Sequence, residues 1–296
     1  EATYLDTFKI GKPELVLIVQ KIHQHIILKE YDKAGSYLAE NVVFALEDGS
    51  QIEGKEKCMN FMKDVYSSLE IQDYKIAVNL AVTLAQTGSK VGLIDVDIDC
   101  PNVLKVLNVS GLPEQDDDQK MIPPSRWNVS VMSMGFFQKN EEEAIIWRGP
   151  MIHNAINQLL QATKWGDLDY LLIDLPPGTS DSPLTVMQTL TVDGFLIVTT
   201  PQDLAKIDAK RSINMIRTMK VDLLGVVENF SGSIFGSGGG ESLAHEMKVP
   251  FLGSLGLREE YLDLSKPTVL LNDEVFKEYE VLVENLKSSV EIVAKN

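Results

Sequence analysis

The chain has 296 residues and a formal net charge of −16, with 44% hydrophobic and 24% charged side chains. That length supports a sizeable core in one large or two modest domains, and the acidic excess disfavours nucleic acid or an anionic membrane, whose phosphates would be repelled. Two cysteines far apart, Cys58 and Cys100, argue against a disulfide framework or a self-contained cysteine metal site, and with no basic-then-apolar leader or membrane-length apolar run the expected compartment is the cytoplasm.

Residues 1–75 read as a partial α+β segment. "PELVLIVQKIHQHIILKEYDKAGSYL" has helical apolar spacing, "NVVFAL" a strand pattern, "EDGSQIEG" a turn and "KEKCMNFMKDVYSSLE" a second helix. His23 and His25 are two apart, so on a helix they face different directions and make a poor metal pair.

Residues 76–296 change texture. "IAVNLAVTLAQTG" is apolar nearly all round, as a buried helix ended by Gly88. Five apolar strands follow: "KVGLIDVD", "VSVMSM", "DYLLIDLP", "GFLIVTTP" and "DLLGVVEN", with "PMIHNAINQLLQATKW", "PLTVMQTL" and "AKIDAKRSINMIRTMK" as helices among them. "GGGESLAHEMKVPFLGSLG" adds a helix and a strand, and a helix from about Asn272 closes the chain. Such alternation predicts an α/β fold, a mostly parallel sheet with helices on both faces. The runs Asp116–Asp118 and Glu141–Glu143 read as solvated loops.

Ligands of such sheets sit beyond the carboxyl ends of the strands. There "VGLIDVDID" places Asp95 and Asp97, and "YLLIDLPPGTSD" places Asp174 before Pro177, Gly178 and Thr179. "LIVTTPQD" ends in Pro201 and Gln202. An aspartate closing an apolar strand is the arrangement that holds a magnesium-bound water, and paired acids two apart can orient an attacking water.

A rival candidate is "GSQIEGKE", residues 49–56, which fits G-x-x-x-x-G-K but has Glu56 where a magnesium-binding hydroxyl belongs. Lys55 also precedes Asp95 by 40 residues with another helix between. It reads as a turn leading into a helix near Gly54.

In the order "IAVNLAVTLAQTGSKVGLIDVDIDCPNV", "IIWRGPM", "LLIDLPPGTSD", "VTTPQD", "VVENFS" and "IFGSGGGE", residues from about 76 to 270 resemble the Mrp/ApbC family of iron–sulfur cluster carrier ATPases, of the MinD/ParA-like P-loop class. The resemblance implies ATP and magnesium as cofactors, a homodimer, a bridging iron–sulfur cluster and delivery to apo-protein targets. It places Asp95, Asp97 and Asp174 as catalytic residues, with Asp97 and Asp174 at the metal. Pro177, Gly178 and Thr179 fall on the switch that senses the γ-phosphate, and Asn229, with Pro201 and Gln202 nearby, on the adenine contact.

Two working parts of that family are missing. The glycine-rich phosphate loop expected before Ile76 is replaced by "SSLEIQDYK", so Asp73 stands where the loop lysine would be. Such a loop works through glycine amides curled around phosphate with a lysine beside them; a carboxylate ~4 Å from phosphate costs about 4 kcal/mol at an effective dielectric of 20. Lys75 is the nearest substitute cation. The second loss is a C-x-x-C pair, since "NFSGSIFGSGGGE" runs straight through, leaving no iron–sulfur ligands there; Cys100, where the family has glycine, is either an odd thiol ligand or a small buried residue.

The front segment is similar to the opening half of a SnoaL-like (nuclear transport factor 2-like) domain. The expectation is an ATPase relative with absent or very weak turnover. The alternatives are a non-catalytic nucleotide-binding or scaffold protein, a front-segment pocket, or a chimera of two truncated parents. Whether "LEIQDYK" or "VVFAL" takes the place of the sheet strand that precedes the family's loop is left open.

Overall fold

The computed structural model describes residues 43–45, 51–97, 101–137, 149–176 and 188–295, together with positions 40, 185 and 186. The helix expected over 13–38 lies outside them. β1 (Val43–Ala45) and β2 (Gln51–Glu53) form an antiparallel hairpin, Phe44 opposite Ile52. Next comes α1 (Lys55–Gln86), a single 32-residue helix where the sequence suggested two. The reason is local: no glycine or proline occurs between Lys55 and Gln86, so nothing in "SSLEIQDYKIA" interrupts the hydrogen-bond ladder. The helix is entered through Gly54 (φ 92°) and left through Gly88 (φ 96°), whose positive φ glycine adopts without strain. Gly88 N–H donates to Ala85 O and Ser89 N–H to Leu84 O, closing the last turn.

β3 (Val91–Asp95) is buried throughout at the centre of a four-stranded sheet ordered β6–β7–β3–β8. Its neighbours β7 (Val129–Ser133) and β8 (Tyr170–Asp174) are parallel to it, and β6 (Ser125–Arg126) pairs antiparallel with β7. Between β3 and β6 come α2 (Val103–Leu107) and a hairpin of β4 (Glu114–Gln115) and β5 (Met121–Ile122), whose strands are too short for periodicity to reveal. A second sheet, ordered β11–β10–β9, holds β9 (Phe195–Thr199), β10 (Leu223–Ser231) and β11 (Phe251–Gly256), all parallel.

Helices cover both faces, as the apolar strands require. One core joins the buried half of α1 and α6 (Asp273–Val293) to Leu93, Val131, Val227 and Leu255 of both sheets. On the other side α3 (Gly149–Gln161) packs Ile156 and Leu159 on Ile94 and Met132. α4 (Asp203–Thr218) and α5 (Gly239–Met247) pack Ile213 and Leu243 on Ile197 and Val226. No described helix is long and apolar enough to cross a membrane.

β8 and β9 are the terminal strands of their sheets and are not bonded to each other. "LEIQDYK" lies inside α1 and "VVFAL" supplies β1, so neither takes the place between them.

Lys75, on α1, is fully buried, and its Nζ donates to Asp263 O at 2.6 Å and to Thr268 Oγ1 at 3.4 Å. This ties the helix to the loop before α6 and leaves the amine turned away from any phosphate role. Burial lowers its pKa to about 8, the Asp263 charge partly offsetting it. The folded chain therefore binds fewer protons than the unfolded one between about 8 and 10.5, so stability rises with pH across that window and the penalty is complete below it. In Lys75→Met this rise should disappear when urea midpoints at about pH 7.5 and about pH 9.5 are compared.

Candidate functional site

The first cluster lies at the carboxyl ends of β3 and β8. Asp95 and Asp174 are direct partners in the parallel register, and Val96 N–H donates to Asp174 O at 3.0 Å. Asp95 Oδ1 accepts from Asp97 N–H at 3.1 Å; Oδ2 accepts from Ser133 Oγ at 3.0 Å and from Val103 N–H, at the start of α2, at 3.3 Å. Both oxygens are thus taken up by protein donors. Burial nevertheless pushes Asp95 up to about 7, against the lowering effect of those bonds. Asp174 is raised well above the carboxylate range, first by burial and then by the charges of Asp95 and Asp97. Asp97 is half-buried.

Among the described residues no group of three or more His, Cys, Asp or Glu side chains is placed to hold a metal ion, and the carboxylate nearest the centre is spent on α2 and Ser133. Pro177, Gly178 and Thr179 lie outside the described residues.

The second cluster lies at the ends of β9 and β10. Pro201 and Gln202 link β9 to α4, with Gln202 as its N-cap residue in extended backbone and hydrogen-bonded through Oε1 to Thr200 Oγ1. Asn229 is fully buried in β10. Its neighbour Glu228 is also buried and accepts from Gly238 N–H at 3.0 Å and Gly240 N–H at 2.6 Å, stabilising the amino end of α5. The glycines of "GSGGGE" have a packing reason. A Cβ on Gly239 would meet Pro201 O at 2.5 Å, and one on Gly240 would meet Glu228 Cβ at 2.8 Å. The motif draws Pro201 and the Glu228–Asn229 strand end together, although they are 27 residues apart or more.

The phosphate side differs from a loop. Residues 70–76 are helical, so their amides point along α1 and are used within it. The helix begins at Lys55, about 32 Å of axial rise before Ile76. Within "GSQIEGKE", Gln51–Glu53 are β2 and Lys55 opens α1, its Nζ paired to Glu40 at 3.0 Å, while residues 49 and 50 lie outside the described residues. The helix start expected near Gly54 is found at Lys55, whereas residues 51–53, expected as turn, are strand.

After β10 the chain turns at once: Gly232 N–H donates to Gly236 O at 2.9 Å, and the rings of Phe230 and Phe235 lie 6.2 Å apart. Cys58 is buried with its Sγ on Ile52 O at 3.2 Å, near the start of α1; Cys100 lies outside the described residues. Sequence reasoning missed Ser133 and Glu228. Their signal was a polar residue closing an apolar strand, in "VSVMSM" and "DLLGVVEN".

A layered, parallel α/β fold with acids on adjacent strand ends defines the P-loop NTPase class, and solved structures agree. The nucleotide-binding protein of Archaeoglobus fulgidus in complex with ADP aligns with a TM-score of 0.58 at 30% identity, over 71% of this chain and 86% of that one. The cell-division ATPase MinD of Pyrococcus furiosus has the same fold, with a TM-score of 0.58 at 20% identity over 74% and 94% of the two chains.

Residues 74–287 match the family described as ParA: NUBPL iron-transfer P-loop NTPase, and the chain belongs to that family. The iron-sulfur cluster carrier protein of Pyrococcus horikoshii is 42% identical over 241 residues, 72% of this chain and 81% of its own length. That of Methanocaldococcus jannaschii is 38% identical over 231 residues, 73% and 80% of the two chains. The Escherichia coli K12 protein of the same name is 42% identical over 212 residues, 67% of this chain and 57% of its own length.

Proposed function

We propose that this chain is a non-hydrolysing member of the iron–sulfur cluster carrier family, with the base side of the nucleotide pocket kept and the phosphate side lost. The observation that carries the reading is α1, which runs unbroken through the residues that precede Ile76 and presents no curl of free amides there. In this reading the adenine contact falls to Asn229, beside Glu228, and to Pro201 and Gln202, with Pro201 lying against Gly239 of α5; the relatives' names support iron–sulfur cargo, and delivery to apo-proteins is part of the proposal. A homodimer is part of the proposal by the same kinship. No cluster ligation is assigned to Cys58 or Cys100.

The test is magnesium-dependent ATP turnover of the full chain alongside calorimetric titration with ADP and ATP. The expected result is no turnover above the uncatalysed background, and weak binding in which ADP and ATP do not differ. Turnover that Asp174→Ala abolishes overturns the proposal, as does ATP binding at least tenfold tighter than ADP, which requires a γ-phosphate contact.

A second reading, a chimera of two truncated parents joined near residue 75, is favoured by one observation: the family match begins at residue 74, in the interior of α1. Transcript or peptide sequence spanning Leu69 to Leu80 in the source cells decides it, and its absence supports the chimera.

A further inference from the structure

α3 carries a row of primary amides that neither cluster described above uses. Asn154, Asn157, Gln158 and Gln161, in "NAINQLLQ", recur at i, i+3, i+4 and i+7 and therefore share one side of the helix. The other side holds Ile156, Leu159 and Leu160 in the core. The amide side faces outward, with Asn154, Gln158 and Gln161 exposed. Together with Asp118, Gln119 and Lys120 of the β4–β5 turn, these residues line an open cleft of about 690 Å³.

The walls of the cleft are fixed to each other. Lys120 Nζ donates to Gln161 O at 2.7 Å, and Met121 N–H donates to Ala162 O at 2.7 Å. Asp116 shapes the turn by accepting from Asp118 N–H at 3.0 Å and Lys120 N–H at 2.9 Å, and it pairs with Lys164 at 2.8 Å. Asn157 is bonded to Thr189 Oγ1. The side-chain amides of Gln119, Asn154, Gln158 and Gln161 have no hydrogen-bond partner among the described residues.

This lining selects its ligand. Five of the eight lining residues are carboxamides, and the largest apolar group is the methyl of Ala162. A flat apolar ring has no surface to stack on there. An anion meets Asp118 and a single cation, Lys120, already held by Gln161 O. A carboxamide, however, has the same donor and acceptor as a peptide unit. Asn154 and Gln158 are about 6 Å apart along the helix axis, close to the ~6.6 Å between same-side main-chain groups of an extended chain. From Asn154 to Gln161 the row covers about 10 Å, the length of about three extended residues.

We propose that this cleft binds an extended, uncharged peptide segment of a partner protein by its main chain, with Asn154, Gln158 and Gln161 hydrogen-bonded to peptide N–H and C=O groups. The site tolerates many sequences, because every residue but proline offers both main-chain groups.

The probe is acetyl-Thr-Thr-Thr-Thr-amide, which is uncharged and β-branched and so favours an extended backbone. It is titrated into the full chain while the side-chain amide signals are followed by NMR. The expected result is saturable shifts of the Asn154, Gln158 and Gln161 signals at millimolar peptide. Gln158→Leu, which keeps a good helix former in α3, should weaken binding about tenfold, the loss of one or two main-chain hydrogen bonds. Methylating the peptide nitrogens should weaken it at least as much, because that removes the donors and keeps the side chains. An absence of shifts at these signals overturns the proposal, as do equal shifts from the methylated peptide. Shifts produced by maltose and not by the peptide also overturn it, by making the cleft a carbohydrate site. Should Gln158→Leu fail to fold, the two peptides compared on the parent chain decide. Neither readout involves nucleotide, so its failure is separable from that of the non-hydrolysing assignment.

Discussion

Stability should fall, not rise, as this chain is taken from mildly acidic to mildly alkaline solution, and Asp174→Asn should remove a large part of that fall. A carboxyl whose folded pKa is raised binds its proton more readily in the folded state. Its penalty is complete above the folded pKa and is relieved as pH drops towards the unfolded value. For Asp95, moved from 3.8 to about 7 by burial, the full penalty is on the order of 4 kcal/mol, and about 2 kcal/mol of it is recovered between roughly pH 8 and pH 5.5. Asp174 is raised well above the carboxylate range, first by burial and then by the charges of Asp95 and Asp97, and adds to the same slope. For a chain of this size ~2 kcal/mol is about 4–8 °C in Tm. Surface acids with lowered pKa, exposed Asp203 and Asp263 and half-buried Asp116, work in the other direction, their small contributions being lost only in stronger acid. Thermal unfolding scans at several pH values provide the measurement. A parent that is equally stable at roughly pH 8 and 5.5, or an Asp174→Asn variant with the parent's slope, contradicts the raised pair. Asp95→Asn is the poorer probe, because an amide cannot accept from Asp97, Val103 and Ser133 together.

The second large effect is expected at the glycine-rich start of α5. In Gly239→Ala the added methyl meets three backbone atoms of Pro201, at 2.5, 2.7 and 2.9 Å. Backbone at the end of β9 cannot swing aside as a side chain would, so the substitution should cost about 2–3 kcal/mol, at the upper end of overpacking. Glu228→Ala attacks the same junction differently. It strands the buried amide of Gly240, releases that of exposed Gly238 and removes a negative charge from a helix amino end, a loss of about 2–3 kcal/mol. Because both changes act on the contact between β9, β10 and α5, the double variant should cost less than the sum of the two. Full additivity in chemical denaturation would show that Pro201 and Glu228 do not share a unit. Gly238→Ala makes a useful contrast. Its methyl meets nothing within 4 Å, so any cost there comes from the positive φ of 83° alone.

Much of this molecule could be read from its residues. Apolar runs ending in Asp95, Asp174 and Thr199 announced parallel strands, and Gly88 announced the end of α1. The order of "DVD", "DLPPGT" and "GGGE" pointed to the family that residues 74–287 match. These are local signals: the period of burial, the φ a glycine permits, and motif spacing along the chain. The rejection of "GSQIEGKE" as a phosphate site was also local, because Glu56 and the distance to Asp95 are properties of the sequence.

Other features required the folded chain. That α1 buries Lys75 and the apolar residues from Ile76 to Ala85 against α6 and both sheets is one of them, because an apolar helix surface does not say what covers it. That Asp95 is an internal hydrogen-bond acceptor depends on Ser133 and Val103, 38 and 8 residues away. That β8 and β9 are edges follows only from strand order, which long-range pairing decides and no period encodes. Sequence alone determined which strands and acids this protein has. Tertiary structure decided which of them meet, because pairing and desolvation act between residues distant along the chain, and here they bury Asp95 and bring Asp174 beside it.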